Sequence, residues 1–254
     1  DDIVWVHDYH LLPLAQELRK RGVRARIGFF LHVPFPSADI VAGLPNHEQT
    51  FGALVAYDLV GFQTERDLER FQDYMRLFGG GEVQGRGEVR GQDGRQVRAD
   101  AFPIGIDTAA LESLASRSGR IAAIRRVHTS LNGRMLAVGV DRLDYSKGLP
   151  ERFRAFERFL EKYTKLHGSL TYLQIAPVSR GGVASYRALR RELEQFAGHI
   201  NGGHAHPDWT PVRYVNRTYP HATLTGLYRL ARIGLITPLR DGMNLVAKEY
   251  VAAQ

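Results

Sequence analysis

Charged and amide side chains cluster near the end of the chain, where an apolar run gives way to a helical pattern. Arg240 and Asp241 follow this predicted strand, and Asn244 stands where a helix-capping side chain belongs. Gly242 allows the backbone to approach a ligand closely, and free N–H groups in a first helical turn attract anions. Glu249, one turn further on, could reach hydroxyl groups beside such an anion. The segment is either an anion-binding loop or an ordinary strand-to-helix turn with surface charges.

Cationic side chains also follow other predicted strands in the second half of the chain. Arg142 and Lys147 come after one strand, and Arg180 comes after the next. Because the carboxyl ends of parallel strands share one edge of a sheet, we expect these cations near Arg240. Arg can contact phosphate with two parallel hydrogen bonds and Lys offers a compact charge. A lone loop cation is usually solvated, but this set suits more than one phosphate group.

Polar side chains follow the first two predicted strands as well. Asp8 and His10 come directly after the first strand, and His32 comes directly after the second. We expect all three to share one edge of a parallel sheet. The histidines are either packed, hydrogen-bonded side chains or, together with His7, ligands of a metal ion. Their spacing is a weak metal signal, and we predict no metal site.

Strands and helices alternate along the whole chain, which indicates an α/β fold with parallel sheets. The predicted strands are 3–6, 27–31, 58–62, 97–102, 135–140, 171–176, 212–215 and 233–236. A polar stretch rich in Gly and Arg at 79–96 predicts a loop or a solvated hairpin. We predict two domains, at 1–106 and 134–254. The connector at 107–133 is predicted to be a helix followed by polar chain.

The composition narrows the possible functions. The chain has 254 residues, of which 44% are apolar and 24% charged, as expected of a folded protein. It has no Cys, which excludes disulfides and thiolate metal sites and suits a reducing, cytoplasmic location. No apolar run is long enough to span a membrane, so no membrane association is expected. The net charge of +7 is dispersed among acids, which favours anionic small molecules over nucleic acid.

Three common nucleotide and hydrolase motifs are missing from the sequence. It has no G-x-x-x-x-G-K-[ST] sequence, which argues against a P-loop nucleotidase. No G-x-G-x-x-G follows a predicted strand, which argues against a dinucleotide dehydrogenase. No G-x-S-x-G nucleophile elbow is present either.

Taken together, the motifs resemble those of the trehalose-6-phosphate synthase family. The stretches that carry the resemblance, in the family's order, are VWVHDYHL at 4–11, GFFLHVPFP at 28–36, DLVGFQT at 58–64, RLDYSKG at 142–148, QIAPVSR at 174–180 and the segment 237–253. The stretches at 79–96 and 115–132 match poorly, as variable loops would. The family continues beyond both ends of this sequence, so we expect part of a longer protein.

The resemblance implies a retaining glycosyltransferase with two Rossmann-like domains facing across a cleft, the GT-B fold, here incomplete at both ends. The implied reaction moves glucose from a nucleotide sugar, usually UDP-glucose, to glucose 6-phosphate. The product is α,α-trehalose 6-phosphate, and neither a metal ion nor another cofactor is expected. A homo-oligomer that binds neither nucleic acid nor a membrane is also expected.

The resemblance also assigns roles to individual residues. It implies that Asp8 and Arg180 contact glucose 6-phosphate, with Arg180 at the phosphate. It implies a catalytic set of His32 beside the reacting sugars, Arg142 and Lys147 at the donor diphosphate, and Asp241 at the donor-glucose hydroxyls. The other implied donor contacts are Tyr219 at the base, the backbone of Gly242, Met243, Asn244, Leu245 and Val246 at the diphosphate, Ala247 and Lys248 beside them, and Glu249 at the ribose.

Several alternatives stay open at this point. A related transferase could use another phosphorylated acceptor, such as glycerol 3-phosphate or a cyclitol phosphate. A non-catalytic synthase-like subunit is a different class of function, and retention of the whole candidate set argues against it. A nucleic-acid-binding domain is motivated only by the basic charge. The donor nucleotide could be UDP, GDP or ADP.

Overall fold

The computed structural model describes residues 2–178 and 183–254, which divide into two units, each built on its own β-sheet. The first unit ends at Ile104 and the second begins at Gly105. Each unit has its own hydrophobic core. The α/β class with parallel sheets, predicted from the alternation of patterns, is confirmed.

Unit 1 is a six-stranded sheet with helices packed on it. Its strands are β1 (Ile3–His7), β2 (Arg26–Phe30), β3 (Leu59–Phe62), β4 (Glu82–Gln84), β5 (Glu88–Arg90) and β6 (Gln96–Ala101). Their order in the sheet is β1-β2-β3-β6-β5-β4, and the first four of these are parallel. Strands β4 and β5 form an antiparallel hairpin that extends the sheet, so the hairpin alternative for 79–96 is confirmed.

The helices of unit 1 cover this sheet and fix the loops at its edge. They are α1 (Leu14–Lys20), α2 (Ala38–Ala42), α3 (His47–Thr50) and α4 (Glu65–Leu77). Thr64 caps α4 by accepting a hydrogen bond from Asp67 N. Asp67 Oδ1 in turn accepts a hydrogen bond of 3.0 Å from Phe35 N. This contact anchors the proline-rich segment that follows His32. Phe78 follows the end of α4 and is exposed.

Unit 2 is a four-stranded parallel sheet. Its strands are β7 (Met135–Val140), β8 (Leu170–Ile175), β9 (Val212–Val215) and β10 (Ile233–Gly234), in the order β10-β7-β8-β9. Its helices are α5 (Thr108–Arg117), α6 (Ala122–Leu131), α7 (Leu149–Lys162), α8 (Ala184–His204), α9 (His221–Leu230) and α10 (Leu245–Ala252). Strand β10 pairs with β7 rather than with its predecessor in the chain, β9.

The stretch predicted as a connector is helical and packs inside unit 2. The polar chain expected in its second half is wrong, because α6 occupies that position. Ile124 and Leu131 of α6 are buried in the same core as Val138 of β7. Ile124 and Leu131 lie on one apolar stripe at helical spacing, but the arginines between them made the segment look like polar chain. None of the helices in the described part of the chain is long and apolar enough to cross a membrane.

Candidate functional site

Two loops of unit 2 meet at the carboxyl edge of its sheet, one after β7 and one after β10. Leu239 N and Arg240 N both donate to Ser146 O, at 2.9 and 3.2 Å. Lys147 Nζ donates to Asp241 Oδ2 at 2.7 Å, and only 14% and 21% of these two side chains are exposed. The expectation that the strand-end cations lie near Arg240 is thus confirmed for the loop of Lys147, since Arg240 N donates to the carbonyl of Ser146, the preceding residue.

The turn that carries Lys147 has a tightly specified backbone. Asp144 Oδ1 accepts hydrogen bonds of 2.9 Å from both Ser146 N and Ser146 Oγ. Gly148 has a φ of +62°, in the left-handed region that favours glycine. A Cβ at Gly148 would also lie 2.8 Å from Thr237 O. Glycine is therefore required both by the backbone conformation and by the close approach of the two loops.

Asp241 is held by a second partner that also begins the following helix. Asn244 Nδ2 donates to Asp241 Oδ2 at 2.8 Å, while Asn244 Oδ1 accepts from Ala247 N at 3.1 Å. Asn244 is the N-cap of α10, as predicted. One side chain thus ties the carboxylate to the first turn of the helix. The other predicted donor contacts in this segment are all half-buried, and these are Gly242, Met243, Leu245, Val246 and Lys248.

A buried arginine that sequence reasoning missed lies beneath both loops. Arg152 Nε donates to Thr237 Oγ1 at 3.0 Å, and Arg152 Nη2 donates to Lys147 O at 3.4 Å. Arg152 Nη1 donates to Asp141 Oδ2 at 2.5 Å and to Gln174 Oε1 at 2.9 Å. One guanidinium therefore connects the backbone of Lys147 to the strand end that precedes Asp241.

The environment of Arg152 explains why it matters and how the sequence signalled it. Arg152 and Asp141 are 3% and 6% exposed, so this is a buried ion pair. Burial raises the pKa of Asp141, and the charge of Arg152 partly offsets that rise. Arg152 lies on the apolar face of α7, between Leu149 and Phe156. The sequence did contain a signal for this residue, because Arg152 is a cation at a position of α7 where the helical spacing predicts an apolar, buried side chain.

The other predicted donor-side residues form no hydrogen bond or ion pair with Lys147 or Asp241 in the described part of the chain. Arg142 is exposed and forms no hydrogen bond or ion pair with the described residues. Tyr219 packs, partly buried, against the core of unit 2. Glu249 Oε1 lies 3.2 Å from Nε2 of His221. The Tyr228 side chain is buried, and this burial, followed by the charge of Glu249, raises the pKa of Tyr228. Arg180 lies outside the described residues, so its role stays a prediction.

In unit 1, Asp8 has an unusual backbone conformation at the end of β1. Its φ is +67° and its ψ is 170°, a region occupied almost only by glycine and costing about 1–3 kcal/mol. Asp8 N donates to Phe30 O at 2.8 Å, which holds the strained residue beside β2. Its Oδ1 atom is buried without a hydrogen-bond partner among the described residues. The strain therefore holds a carboxylate oxygen that is still able to accept a hydrogen bond.

A buried tyrosine supports the turn that follows Asp8. The Tyr57 hydroxyl donates to Leu11 O at 2.9 Å, and the side chain is fully buried. Leu11 ends the 3₁₀ turn Tyr9–Leu11, for which Asp8 is the N-cap. Burial raises the pKa of Tyr57 to about 12. The sequence pattern did not single out this tyrosine.

Two histidines meet at the ends of β1 and β2. His7 Nδ1 lies 3.0 Å from His32 Nε2, and the two rings stack with centroids 5.2 Å apart. One of these nitrogens must donate and the other accept, so the pair shares a single proton at this contact. His10 instead stacks on Tyr9, with ring centroids 4.2 Å apart. No group of three His, Asp or Glu side chains within residues 2–178 and 183–254 is arranged to hold a metal ion.

The chain is similar to known proteins of one glycosyltransferase family. The sequence model of glycosyltransferase family 20 matches residues 1–254. A trehalose-6-phosphate synthase of Sinorhizobium fredii is 49% identical over 254 residues, which is 100% of this chain and 54% of that protein. The corresponding protein of Enterobacter sp. strain 638 is 48% identical and is covered over 53% of its length. The chain thus spans about half the length of the curated relatives it matches.

Solved structures give the same picture. An α,α-trehalose-phosphate synthase (UDP-forming) from Burkholderia xenovorans in complex with glucose-6-phosphate is 48% identical, with a TM-score of 0.96. The match covers 100% of this chain and 56% of that one. An Escherichia coli structure bound with UDP-2-fluoro glucose is 46% identical, with a TM-score of 0.92 and the same two coverages.

Proposed function

Because the chain belongs to glycosyltransferase family 20, we propose that the whole protein is an α,α-trehalose-phosphate synthase. The proposed reaction transfers glucose from a nucleotide sugar, UDP-glucose, to glucose 6-phosphate with retention of configuration. Its products are α,α-trehalose 6-phosphate and UDP. The relatives bound to glucose-6-phosphate and to UDP-2-fluoro glucose support this choice of acceptor and donor.

The observation that carries the proposal is the hydrogen bond between Lys147 and Asp241 at the start of α10. A nucleotide sugar presents a diphosphate directly beside sugar hydroxyls. The ammonium group of Lys147 suits the diphosphate, and the carboxylate of Asp241 suits hydroxyl donors. The two groups are adjacent, as such a ligand requires, and the helix that Asn244 caps adds a positive dipole end.

The chain's own cations would promote departure of the diphosphate. The leaving group gains negative charge as the glycosidic bond breaks, and preorganised cations stabilise that charge as it forms. Lys147 is preorganised by Asp241 and by the turn at Gly148. Arg142 would add a second cation from the same loop. No metal ion or other cofactor is part of this proposal.

The acceptor side of the proposal rests on unit 1 and on Arg180. The Oδ1 atom of Asp8, which has no hydrogen-bond partner within residues 2–178 and 183–254, would accept a hydrogen bond from a hydroxyl of glucose 6-phosphate. Arg180 would bind the phosphate of the acceptor, and His32 would lie beside the reacting sugars. On the donor side, Tyr219 would contact the base and Glu249 the ribose.

Calorimetric titration of the intact protein would test the proposal. UDP, GDP and ADP are titrated separately, and glucose 6-phosphate is then added to the nucleotide-bound form. We expect UDP to bind and acceptor binding to follow, and Lys147→Ala to weaken UDP binding about tenfold or more. Lys165→Ala, which removes an exposed lysine of the same unit, is the matched control.

Other outcomes of this titration would select other functions. Nucleotide binding with a preference for glycerol 3-phosphate or a cyclitol phosphate over glucose 6-phosphate would make the protein a transferase with another acceptor. Absence of any nucleotide binding would contradict the proposal and indicate a non-catalytic subunit.

A further inference from the structure

One stretch of unit 2 carries positive charge and no negative charge. No Asp or Glu occurs in the sequence between Glu112 and Asp141. The arginines of this interval are Arg117, Arg120, Arg125, Arg126 and Arg134. The interval forms the end of α5, the whole of α6 and the whole of β7. It is separate from the loops at Lys147 and Asp241, so the candidate donor site does not account for it.

Part of this charge lines a pocket between α5, α6 and α9. The pocket has a volume of about 660 Å³, within the usual range for small-molecule sites. Arg125 and His128 of α6 and Arg229 of α9 line it, and Ile124 and Leu230 add apolar surface. Its lining among the described residues includes no acidic side chain. The pocket thus combines cationic groups with an apolar floor.

The geometry of this pocket is fixed by close packing of α9 against α6. A Cβ at Gly226 would lie 2.7 Å from Ile124 Cγ1 and 3.0 Å from Ser118 Cβ. The glycine therefore permits an approach that any larger residue would prevent. As a result, the close packing of α9 on α6 fixes the backbone positions of Arg229 and Arg125 relative to each other.

The guanidinium groups at this pocket keep most of their donors unused. Within the described residues, the Arg125 guanidinium makes no hydrogen bond or ion pair, and the Arg229 guanidinium makes one hydrogen bond, of 3.4 Å, to Ala253 O. By contrast, Arg158 and Arg190 elsewhere in unit 2 are paired with glutamates at 2.8 and 2.7 Å. Each guanidinium has five N–H donors, so the pocket offers an excess of donors and no acceptor charge.

We infer that this pocket binds a phosphorylated small molecule at a site separate from the candidate donor site. Two guanidinium groups can each contact phosphate oxygens with two hydrogen bonds, and His128 adds a further donor. The apolar surface of Ile124 and Leu230 would contact the ring or carbon chain that bears the phosphate. A concave site of this size favours a small molecule over an acidic macromolecule, which needs an extended basic surface.

The test is calorimetry on the intact protein with pyrophosphate as the probe. The starting variant carries Arg142→Ala, Lys147→Ala and Arg180→Ala, which removes the cations of the proposed substrate site. We expect it still to bind pyrophosphate saturably. Adding Arg125→Gln and Arg229→Gln should weaken that binding about tenfold or more, because charge-assisted hydrogen bonds are lost.

The matched control adds Arg158→Gln and Arg190→Gln to the same starting variant, so the net charge changes equally. Its affinity should equal that of the starting variant. If both pairs of substitutions weakened pyrophosphate binding equally, the cause would be the lower net charge, and the inference would be wrong. The inference would also be wrong if the starting variant bound no pyrophosphate. Thr129 lies on the exposed rim of the pocket, so Thr129→Glu should also weaken pyrophosphate binding by adding a negative charge. Thermal unfolding at the temperature of the starting variant would verify that each variant is folded.

Two further probes identify the ligand class. Glucose 6-phosphate and AMP distinguish a sugar phosphate from a nucleotide, since either should bind more tightly than pyrophosphate if it also uses the apolar floor. Polyglutamate serves as an acidic polymer. If polyglutamate binds more tightly than every phosphorylated probe and depends on Arg125 and Arg229, the pocket is a docking surface for an acidic protein and the inference is wrong.

Discussion

Lys147 and Asp241 are 94 positions apart in the sequence, yet their side chains share a hydrogen bond of 2.7 Å. Both side chains are largely shielded from solvent, and Asn244 holds the same carboxylate oxygen at 2.8 Å. Neither group is therefore a free surface charge. Each fixes the position of the other, which makes this edge of unit 2 a preorganised site rather than a set of independent loop residues.

Replacing both members of this pair should give non-additive losses of activity. Lys147→Ala should lower kcat/KM about 10²-fold or more, as loss of one preorganised donor does. Because Asp241 positions Lys147, Asp241→Ala should cost less in the Lys147→Ala background than in the wild type. Steady-state kinetics of the two single variants and the double variant measure this coupling. Arg142→Ala should lower kcat/KM similarly but without coupling to Asp241, since the structure records no contact between them.

Two results of these kinetic measurements would contradict the prediction. Near-normal turnover of Lys147→Ala would remove it from the reaction, and strictly additive losses would mean that the hydrogen bond to Asp241 has no positioning role. Lys165→Ala, an exposed lysine in the same unit, should leave kcat/KM unchanged.

Loss of the buried guanidinium of Arg152 should destabilise unit 2. Arg152→Met would leave the Asp141 carboxylate buried and unpaired, which costs about 3–5 kcal/mol in the free energy of unfolding. Arg152→Met combined with Asp141→Asn should recover part of that loss, because no uncompensated charge remains. Urea unfolding of the two variants and the wild type measures both effects. An equal loss in both variants would mean that the buried charge is not the cause.

Arg152→Lys separates stability from positioning. It retains the charge beside Asp141 but has no planar fork to reach Thr237 and the carbonyl of Lys147 together. We expect a folded variant with a lower kcat and a higher KM for the nucleotide sugar. Unchanged kinetics in a folded Arg152→Lys variant would limit this residue to a structural role.

The strained backbone at Asp8 predicts a difference between two substitutions that both remove the carboxylate. Asp8→Gly accepts the φ of +67° without strain, whereas Asp8→Ala does not. The glycine variant should therefore exceed the alanine variant by about 1 kcal/mol or more in free energy of unfolding. Both should lose acceptor binding. Denaturant unfolding at neutral pH makes the comparison, and an alanine variant as stable as the glycine variant would argue against backbone strain.

The pKa of Tyr57 predicts a loss of stability at alkaline pH. Burial raises this pKa from 10.0 to about 12, so the unfolded chain releases the proton before the folded protein does. The contribution of the neutral Tyr57 hydroxyl to the free energy of unfolding is therefore fully present below pH 10.0, and it is lost as the pH rises towards about 12. Tyr57→Phe should flatten this decline while lowering stability at neutral pH by about 1 kcal/mol, because the hydrogen bond to Leu11 O is lost.

Urea unfolding of the wild type and Tyr57→Phe across this pH range provides the measurement. Tyr74, whose pKa burial also raises to about 12, is present in both proteins and contributes equally to both. The difference between the two proteins therefore isolates Tyr57. Parallel curves above pH 10.0 would show that the Tyr57 hydroxyl does not titrate differently in the folded and unfolded states.

Local signals in the sequence determined the elements and several of their ends. Capping residues at Thr64 and Asn244, the need for glycine in tight loops, and apolar stripes at helical spacing all act within a few residues of chain. The family motifs are equally local, so they identified the family, and the donor-side roles that follow from the resemblance stay predictions. The apolar stripe of α6, which includes Ile124 and Leu131, was present too, although the adjacent arginines Arg125 and Arg126 interrupt it.

Only the tertiary structure decided which of these residues meet. Strand β10 lies beside β7 rather than β9, and that order brings Asp241 to Lys147 and Thr237 to Arg152. The strain at Asp8 likewise depends on its hydrogen bond to a carbonyl of β2. Periodicity and capping specify the conformation of a segment, but contacts between distant segments depend on sheet order and core packing, which no short stretch of sequence encodes.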